Sequence, residues 1–495
     1  MARKFRVPGF SGLLRAAWLL PLILAQSPLA EAQVSLPNVR LPNLSGNALG
    51  LPLNTDRTLS GLSSDLDPRR LEDLRRLHIL DLIHKNPKEI EADPNGAPIL
   101  RGEVVAFSPS DEALEKARAA GFTVLRERSL DGLDARLVVL KVPAGTATHR
   151  ALKQLKALDP QGAYDFNHIY TDSGEVVGAD SAAAGEAARG ETEAFATASG
   201  SGAAAGPSGT KVGLIDGGVD VSHAVFRDIA IHQHGCSGTA VPAAHGTAVA
   251  SLMIGRSPRF HGAAPGSELY AADVYCGLPT GGAVDAVGEA FAWLVREHVP
   301  VINVSLVGPP NVMLENVVRM VIARGHVVVA AVGNDGPAAP PLYPASYPDV
   351  VGVTAVDARR RVLLEACRGR QVKFSAPGAD MSAANPAQSF ALVRGTSFAS
   401  PIVAGLLAEA VHEPDADAAR RAVADLAGRA IDLGAPGLDP VYGYGLVGED
   451  LRPEISLARG SGGADGSGSA SGGTGAGGVS GHGGGGGGLS AGGQN

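Results

Sequence analysis

The sequence predicts an α/β protein: a parallel sheet flanked by helices, preceded by a small α+β unit. Three observations carry this. Between Lys211 and Val447, short Val/Ile/Ala runs alternate with helical stretches. Strands apolar on both faces belong in a parallel sheet covered by helices. Upstream, from about 100 to 172, the order strand–helix–strand–strand–helix–strand follows the split βαβ arrangement. A chain of 495 residues, 45% of them hydrophobic, has material for more than one folded unit, while its 66 glycines mark stretches that have none.

Residues 1–32 read as an export signal. Arg3, Lys4, Arg6 and Arg15 make a basic start, Ala16–Ala25 is a short apolar run, and Ala30-Glu31-Ala32 is a small-x-small cleavage site. That run is about half the ~20 residues a spanning helix needs, and no later segment is long and apolar enough to replace it. The expected location is therefore secreted or periplasmic, with no integral membrane segment after signal removal. Residues 33–99 form an N-terminal extension, partly disordered, with one helix at Pro68–Lys85 whose stripe is Leu71, Leu74, Leu77, Ile79, Leu80 and Ile83.

In the unit at 100–172, Glu103–Phe107 suits a strand, and Ser110-Asp111-Glu112 opens a helix that stops at Gly121. Phe122–Arg126 and Ala135–Val142 read as strands, Thr148–Leu158 as an amphipathic helix, and Tyr164–Tyr170 as a last strand. Residues 173–209, rich in Ala, Gly, Ser, Glu and Thr, read as a flexible linker. The main domain, 210–450, has strands at Lys211–Ile215, Leu269–Val274, Val301–Leu306, Val327–Val332 and Val350–Val356, with helices at Asp285–His298 and Asn311–Arg324. Residues 451–495 form a Gly-rich disordered tail. Its Gly488–Gly492 run fits G-x-S-x-G but lacks the strand and helix that give that pattern meaning.

The net charge of −8, with no basic stretch interleaved with aromatics beyond the extreme N-terminus, argues against a nucleic-acid partner. Cys236, Cys276 and Cys367 permit one disulfide and one leftover thiol, and none sits in a CxxC pair that would suggest structural zinc. Cys236–Cys276 is the favoured pair because both flank the segment carrying His245. No cluster of Asp and Asn in loop spacing can be assigned to calcium, so no metal or cofactor is expected.

Four residues invite a chemical reading. Asp216 ends the strand Lys211–Ile215, where functional groups of an open parallel sheet collect. His245 opens His245-Gly246-Thr247 ahead of an apolar helix. Ser397 lies in Gly395-Thr396-Ser397-Phe398-Ala399-Ser400-Pro401, at the start of a helix whose free N–H groups favour negative charge. Asn334 closes Val327–Val332 through Gly333, where its amide can donate to an oxyanion. Alone, each has a plainer reading: a turn aspartate, a buried histidine, an N-cap serine, a turn asparagine. Their joint occurrence decides.

Val212–Val219, His245–Thr247, Ala330–Gly336 and Gly395–Pro401 resemble, in chain order, the four signature blocks of the subtilisin-like serine proteases, the subtilases. The resemblance implies a subtilisin-like sheet and an Asp216–His245–Ser397 triad. It also implies an Asn334 oxyanion donor and extended polypeptide substrates bound along Ser305, Leu306 and Val307, opposite Gly333. Residues 100–172 look like the family's propeptide, an intramolecular chaperone and inhibitor, which implies self-processing between about Tyr170 and Gly209. Calcium is possible by the same resemblance. Two departures stand out. Gly217 replaces the usual Ser or Thr after the catalytic Asp, and Val307 replaces the usual glycine of the pocket strand. The first is the only support for an alternative, a catalytically weak relative acting as a scaffold; the glycine tail suggests a surface role. The second suggests a preference for small side chains before the cleaved bond.

Overall fold

Seven strands lie parallel in one central sheet, in the order Val372–Pro377, Val351–Val356, Val327–Ala331, Val301–Val304, Lys211–Asp216, Glu268–Asp273, Ile231–Gly235. This computed structural model describes residues 68–177, 209–258, 260–278, 281–386 and 388–453, all within one compact unit. The expected export signal, most of the 33–99 extension before the helix, linker residues 178–208 and the glycine tail from 454 lie outside the described residues.

Strand side chains alternate between two apolar layers, as the period of two requires. Val212, Leu214, Val301, Val327 and Val329 face one core, built on the helices Ala244–Ile254 and Thr396–Ala408. Ile215, Ile302, Val304, Val328 and Ala330 face the other, built on the helices Val284–Arg296 and Val312–Ala323. The sheet is thus buried on both faces, which is why its strands read as unbroken apolar runs.

The upstream unit is a four-stranded antiparallel sheet: Ala163–Asp172, Pro98–Phe107, Ala135–Lys141, Thr123–Leu130. Its first helix, Asp111–Ala119, starts where the Ser110 hydroxyl accepts from the Ala113 N–H at 3.1 Å. Its own core includes Leu114, Phe122, Leu152 and Leu155. The opposite sheet face, through Val105, Leu130, Leu137 and Val139, joins the second core of the main domain. The two parts therefore share one apolar seam along the helices Val284–Arg296 and Val312–Ala323.

Polar contacts fix that seam. The Asp285 carboxylate, 2% exposed, accepts from Arg126 Nε at 2.7 Å and from Asn167 Nδ2 at 3.0 Å. Asn311 caps the helix Val312–Ala323, accepting from Met313 and Leu314 N–H, while Asp165 accepts from the Val312 N–H at 2.8 Å. The upstream unit thereby supplies a carboxylate to a helix N-terminus of its partner.

Two expectations need correction, and the helix expected at Pro68–Lys85 forms. The apolar stripe of the helix Pro68–Lys85 is not buried as a stripe: Leu77 and Leu80 are about half exposed, while Leu82 packs on Ile90 and Ile169. That helix docks through its last turns and through Arg75, whose guanidinium forms a two-point ion pair with Asp335 at 2.9 and 3.0 Å. The expected strand Val301–Leu306 breaks at Ser305: Val301–Val304 stays in the central sheet, and Leu306–Val307 turns out to pair elsewhere. The expected linker does not begin at 173, because Gly174–Val177 is a strand paired with Ser389–Gly395. Among the described residues no helix is long and apolar enough to cross a membrane.

Candidate active site

Asp216 closes the strand Lys211–Asp216, and its carboxylate is buried beside the first turn of the helix Ala244–Ile254. His245 Nδ1 lies 2.9 and 3.0 Å from the two Asp216 oxygens, so the imidazole donates there from Nδ1. Asp216 also accepts from the Gly217 N–H at 2.7 Å. Burial by itself lowers the imidazole pKa, but Asp216 and, more weakly, Asp172 outweigh it and push His245 up to about 9. His245 Nε2 is buried with no hydrogen-bond partner. The Phe398 ring packs beside the imidazole, with ring centroids 5.3 Å apart.

Gly217 has a steric reason. A Cβ there would sit 2.9 Å from Ala243 Cβ and 3.3 Å from the Tyr275 ring. The space a hydroxyl-bearing side chain needs is already filled by Ala243 and Tyr275.

Ser397 lies in the first turn of the helix Thr396–Ala408, entered through Gly395 at φ 137°. The helix begins three residues earlier than Ala399, so Ser397 is inside it and Pro401, its sixth residue, lies past the first turn where a proline is expected; the Ser397 carbonyl that Pro401 cannot serve accepts from the Ser305 hydroxyl at 3.0 Å. The Ser397 hydroxyl donates to the Ser305 carbonyl at 3.0 Å and accepts from the Ser173 N–H at 3.2 Å. The Ser173 hydroxyl is 2.7 Å away. The structure thus joins Asp216 to His245 but engages Ser397 with a strand of the chain itself rather than with His245 Nε2.

That strand crosses the whole cleft. Ile169 and Tyr170 pair antiparallel with Gly282–Ala283, and Thr171 and Asp172 pair with Val307 and Leu306. After Ser173, Gly174–Val177 pairs antiparallel with Leu392–Gly395. Tyr170 is fully buried and its hydroxyl donates to the Pro309 carbonyl at 2.7 Å. The peptide bond between Ser173 and Gly174 consequently lies against Ser397: a Cβ added to Gly174 would stand 3.1 Å from Ser397 Cβ.

Asn334 and Gly333 are tied to the same helix start. Thr396 N–H donates to Asn334 Oδ1 at 3.1 Å, and Gly333 N–H donates to Thr396 Oγ1 at 3.1 Å. This leaves Asn334 Nδ2 directed at Gly395. A Cβ on Gly395 would meet Asn334 Nδ2 at 2.7 Å, Gly174 Cα at 2.8 Å and the Ser173 carbonyl oxygen at 2.9 Å. Only glycine lets the amide and that carbonyl approach from the same side. Ser305 is buried beneath, its hydroxyl donating to the Ser397 carbonyl and accepting from Asn303 Nδ2 at 2.8 Å.

Cys236 and Cys276 are joined in a disulfide, and Cys367 is free and buried. Among the described residues one group of three ligand-type side chains is close together, Cys236, Asp273 and Cys276, and both its sulfurs belong to that disulfide.

Every residue named from the sequence for the site sits in or beside this cleft. Those the sequence did not single out are Tyr170, Ser173 and Gly174, which occupy it, and Thr396, which fastens Asn334 to the helix. Thr396 stood within the Gly395–Pro401 block; the strand expected at Tyr164–Tyr170 runs on to Asp172, and its continuation through Ser173 and Gly174 gave no local signal.

Fold and site define a class: a parallel α/β protein with a buried acid–imidazole pair beside a serine at a helix start. Residues 207–445 match the family model described as the subtilase family. Subtilisin BL of Lederbergia lenta is 32% identical over 48% of this chain and 89% of its own length. Minor extracellular protease Epr of Bacillus subtilis (strain 168) is 30% identical over 41% of this chain, and the match spans 32% of that longer protein. The solved structure of fervidolysin from Fervidobacterium pennivorans, described as a keratinolytic enzyme related to subtilisin, is alike in fold. It superposes with a TM-score of 0.56 at 20% identity over 71% of this chain and 61% of that one. The chain belongs to the subtilase family.

Proposed function

We propose that this protein is an exported serine endopeptidase that cuts its own chain between Ser173 and Gly174 and then hydrolyses extended polypeptides in the same cleft. The observation that carries this reading is the strand 169–177 lying through the site, paired on both sides of a peptide bond that touches Ser397. Binding as an added β-strand is how a cleft of this kind takes extended peptide.

In this reading Ser397 is the nucleophile. Its hydroxyl leaves the Ser305 carbonyl, turns to the unpaired His245 Nε2 and attacks the Ser173 carbonyl carbon. His245 takes the proton, with Asp216 fixing its tautomer and stabilising the imidazolium. Asn334 Nδ2 and the Ser397 N–H stabilise the oxyanion. His245 then protonates the Gly174 amine as the bond breaks. Water hydrolyses the ester between Ser397 and Ser173, leaving a new carboxylate at Ser173 and the free hydroxyl.

Ser173, small and buried, fits the expected preference for slender side chains beside Val307. The upstream unit would remain docked after cleavage as inhibitor, held by the shared apolar seam and by Asp285. The export reading rests on residues 1–32 and is in keeping with the relative named as extracellular. A fluorophosphonate label tests the catalytic reading: one covalent adduct at Ser397, lost in His245→Ala, is expected. An unlabelled mature protein would remove it and leave a scaffold.

A further inference from the structure

Beyond Gly174, the strand meets a pair of charged side chains that the proposed reaction does not use. Glu175 stands opposite Arg394 in the antiparallel register of Gly174–Val177 with Leu392–Gly395. Side chains of directly opposed residues share one face of the sheet. Arg394 is already committed: its Nε lies 2.7 Å from Glu365 Oε1 and its Nη2 lies 3.0 Å from Glu365 Oε2, with both side chains 16% exposed. Glu175 Oε2 is buried and accepts no hydrogen bond. Burial raises the Glu175 carboxyl, the pull of Arg394 does not offset it, and the Glu365 carboxylate repels it.

We propose that Arg394 and Glu365 form a side-chain subsite that reads the second residue after the cleaved bond, favouring a neutral hydrogen-bonding side chain there over a carboxylate. The inference rests on the assignment of Ser173–Gly174 as the bond cleaved. An Arg394–Glu365 fork is neutral as a unit, so it offers a second carboxylate desolvation without a free cation. A glutamine amide loses less on burial and can donate to the Glu365 oxygens while accepting from the guanidinium. Only Gly395 and Thr396 separate Arg394 from Ser397, and Gly395 joins the strand directly to the helix that carries the nucleophile. The subsite is therefore rigidly referred to the reacting bond. Glu175 in the chain itself is then a suboptimal occupant, which helps the cut strand leave.

The test uses the full-length protein after self-cleavage and release of the docked upstream unit, and four peptides copied from residues 168–178, differing only at the position of Glu175: Glu, Gln, Ala and Lys. kcat/KM is measured near pH 7.5 for the wild type and for Glu365→Gln, with fluorophosphonate labelling to count active sites. For the wild type, Gln is expected to exceed Glu by roughly 5- to 100-fold, the range for a buried polar group left unpaired. In Glu365→Gln, Arg394 is released and the order is expected to reverse. A wild type that treats Glu and Gln alike within twofold, or prefers Glu, overturns the inference whatever the variant does. So does a Gln preference that survives Glu365→Gln unchanged. A labelled enzyme that cleaves none of the four also overturns it. Absence of both labelling and cleavage removes the peptidase reading itself, and the inference with it.

Discussion

The Ser173 N–H donates to the Ser397 hydroxyl at 3.2 Å, while that hydroxyl donates onward to the Ser305 carbonyl. Ser397 is thus inserted between the chain's own strand and Ser305. On the proposed reading, cleavage requires that hydroxyl to leave the Ser305 carbonyl for the unpartnered His245 Nε2. Replacing the hydroxyl, Ser397→Ala, should abolish self-cleavage, with a loss on the order of 10⁶-fold in rate. Intact-mass measurement of the purified variant over days checks this.

On the proposed reading, Asn334 serves the oxyanion through one amide. Asn334→Ala is expected to lower kcat by about 10²–10³-fold, or roughly 3–4 kcal/mol of barrier, with KM nearly unchanged. Steady-state kinetics on a peptide ending at the Ser173 equivalent separates the two constants. A rise in KM at constant kcat would mean that Asn334 binds the ground state and does not serve the oxyanion.

His245 must be neutral to accept a proton, and in the uncut chain burial opposes its charge less than Asp216 and Asp172 favour it, so it titrates at about 9. Self-cleavage is therefore expected to climb with pH up to about 9 and level off above it. Asp172→Asn removes one of the charges that raise His245, and should move the midpoint of the pH–rate curve to lower pH. An unmoved midpoint would assign the shift to Asp216 alone.

Arg126 holds the seam through a carboxylate that has no access to water. Burial raises Asp285, but Arg126, Asn167 and Arg128 hold it below the usual carboxylate range. Arg126→Ala should leave that charge underpaired and weaken the hold of the cleaved upstream unit by at least about 2 kcal/mol, or about 30-fold in dissociation constant. Inhibition of the mature domain by the separated upstream unit measures it.

Cys236–Cys276 bridges residues 40 apart in sequence, enclosing the segment that leads into His245. By loop-closure entropy its removal in Cys276→Ser costs about 4 kcal/mol, within the ~2–5 kcal/mol found for native bridges. Denaturant unfolding of the two proteins under identical conditions tests that figure.

Much of this was readable before any coordinates. The parallel sheet announced itself in the Val/Ile runs, since burial on both faces leaves no polar alternation to disguise them. Asp216, His245, Asn334 and Ser397 stood out because their four blocks together, in chain order, resemble the subtilase signatures; alone, each had a plainer reading. What the sequence hid depends on partners far along the chain. Gly174–Val177 sits beside an Ala/Gly-rich run and becomes a strand only by pairing with Leu392–Gly395. Arg75 and Asp335, or Arg394 and Glu365, meet through tertiary packing that leaves no local period. The half-exposed Leu77 and Leu80 show the same limit: a helical stripe says which face is apolar, not whether anything covers it.

The central claim is that Ser397 cuts the bond at which the chain lies across it. Intact mass and N-terminal sequencing of the purified wild type and Ser397→Ala, side by side, test it most directly. The expected result is a fragment beginning at Gly174 in the wild type and none in the variant. The same Gly174 terminus in Ser397→Ala, or a wild type left uncut while its cleft is occupied, would contradict it.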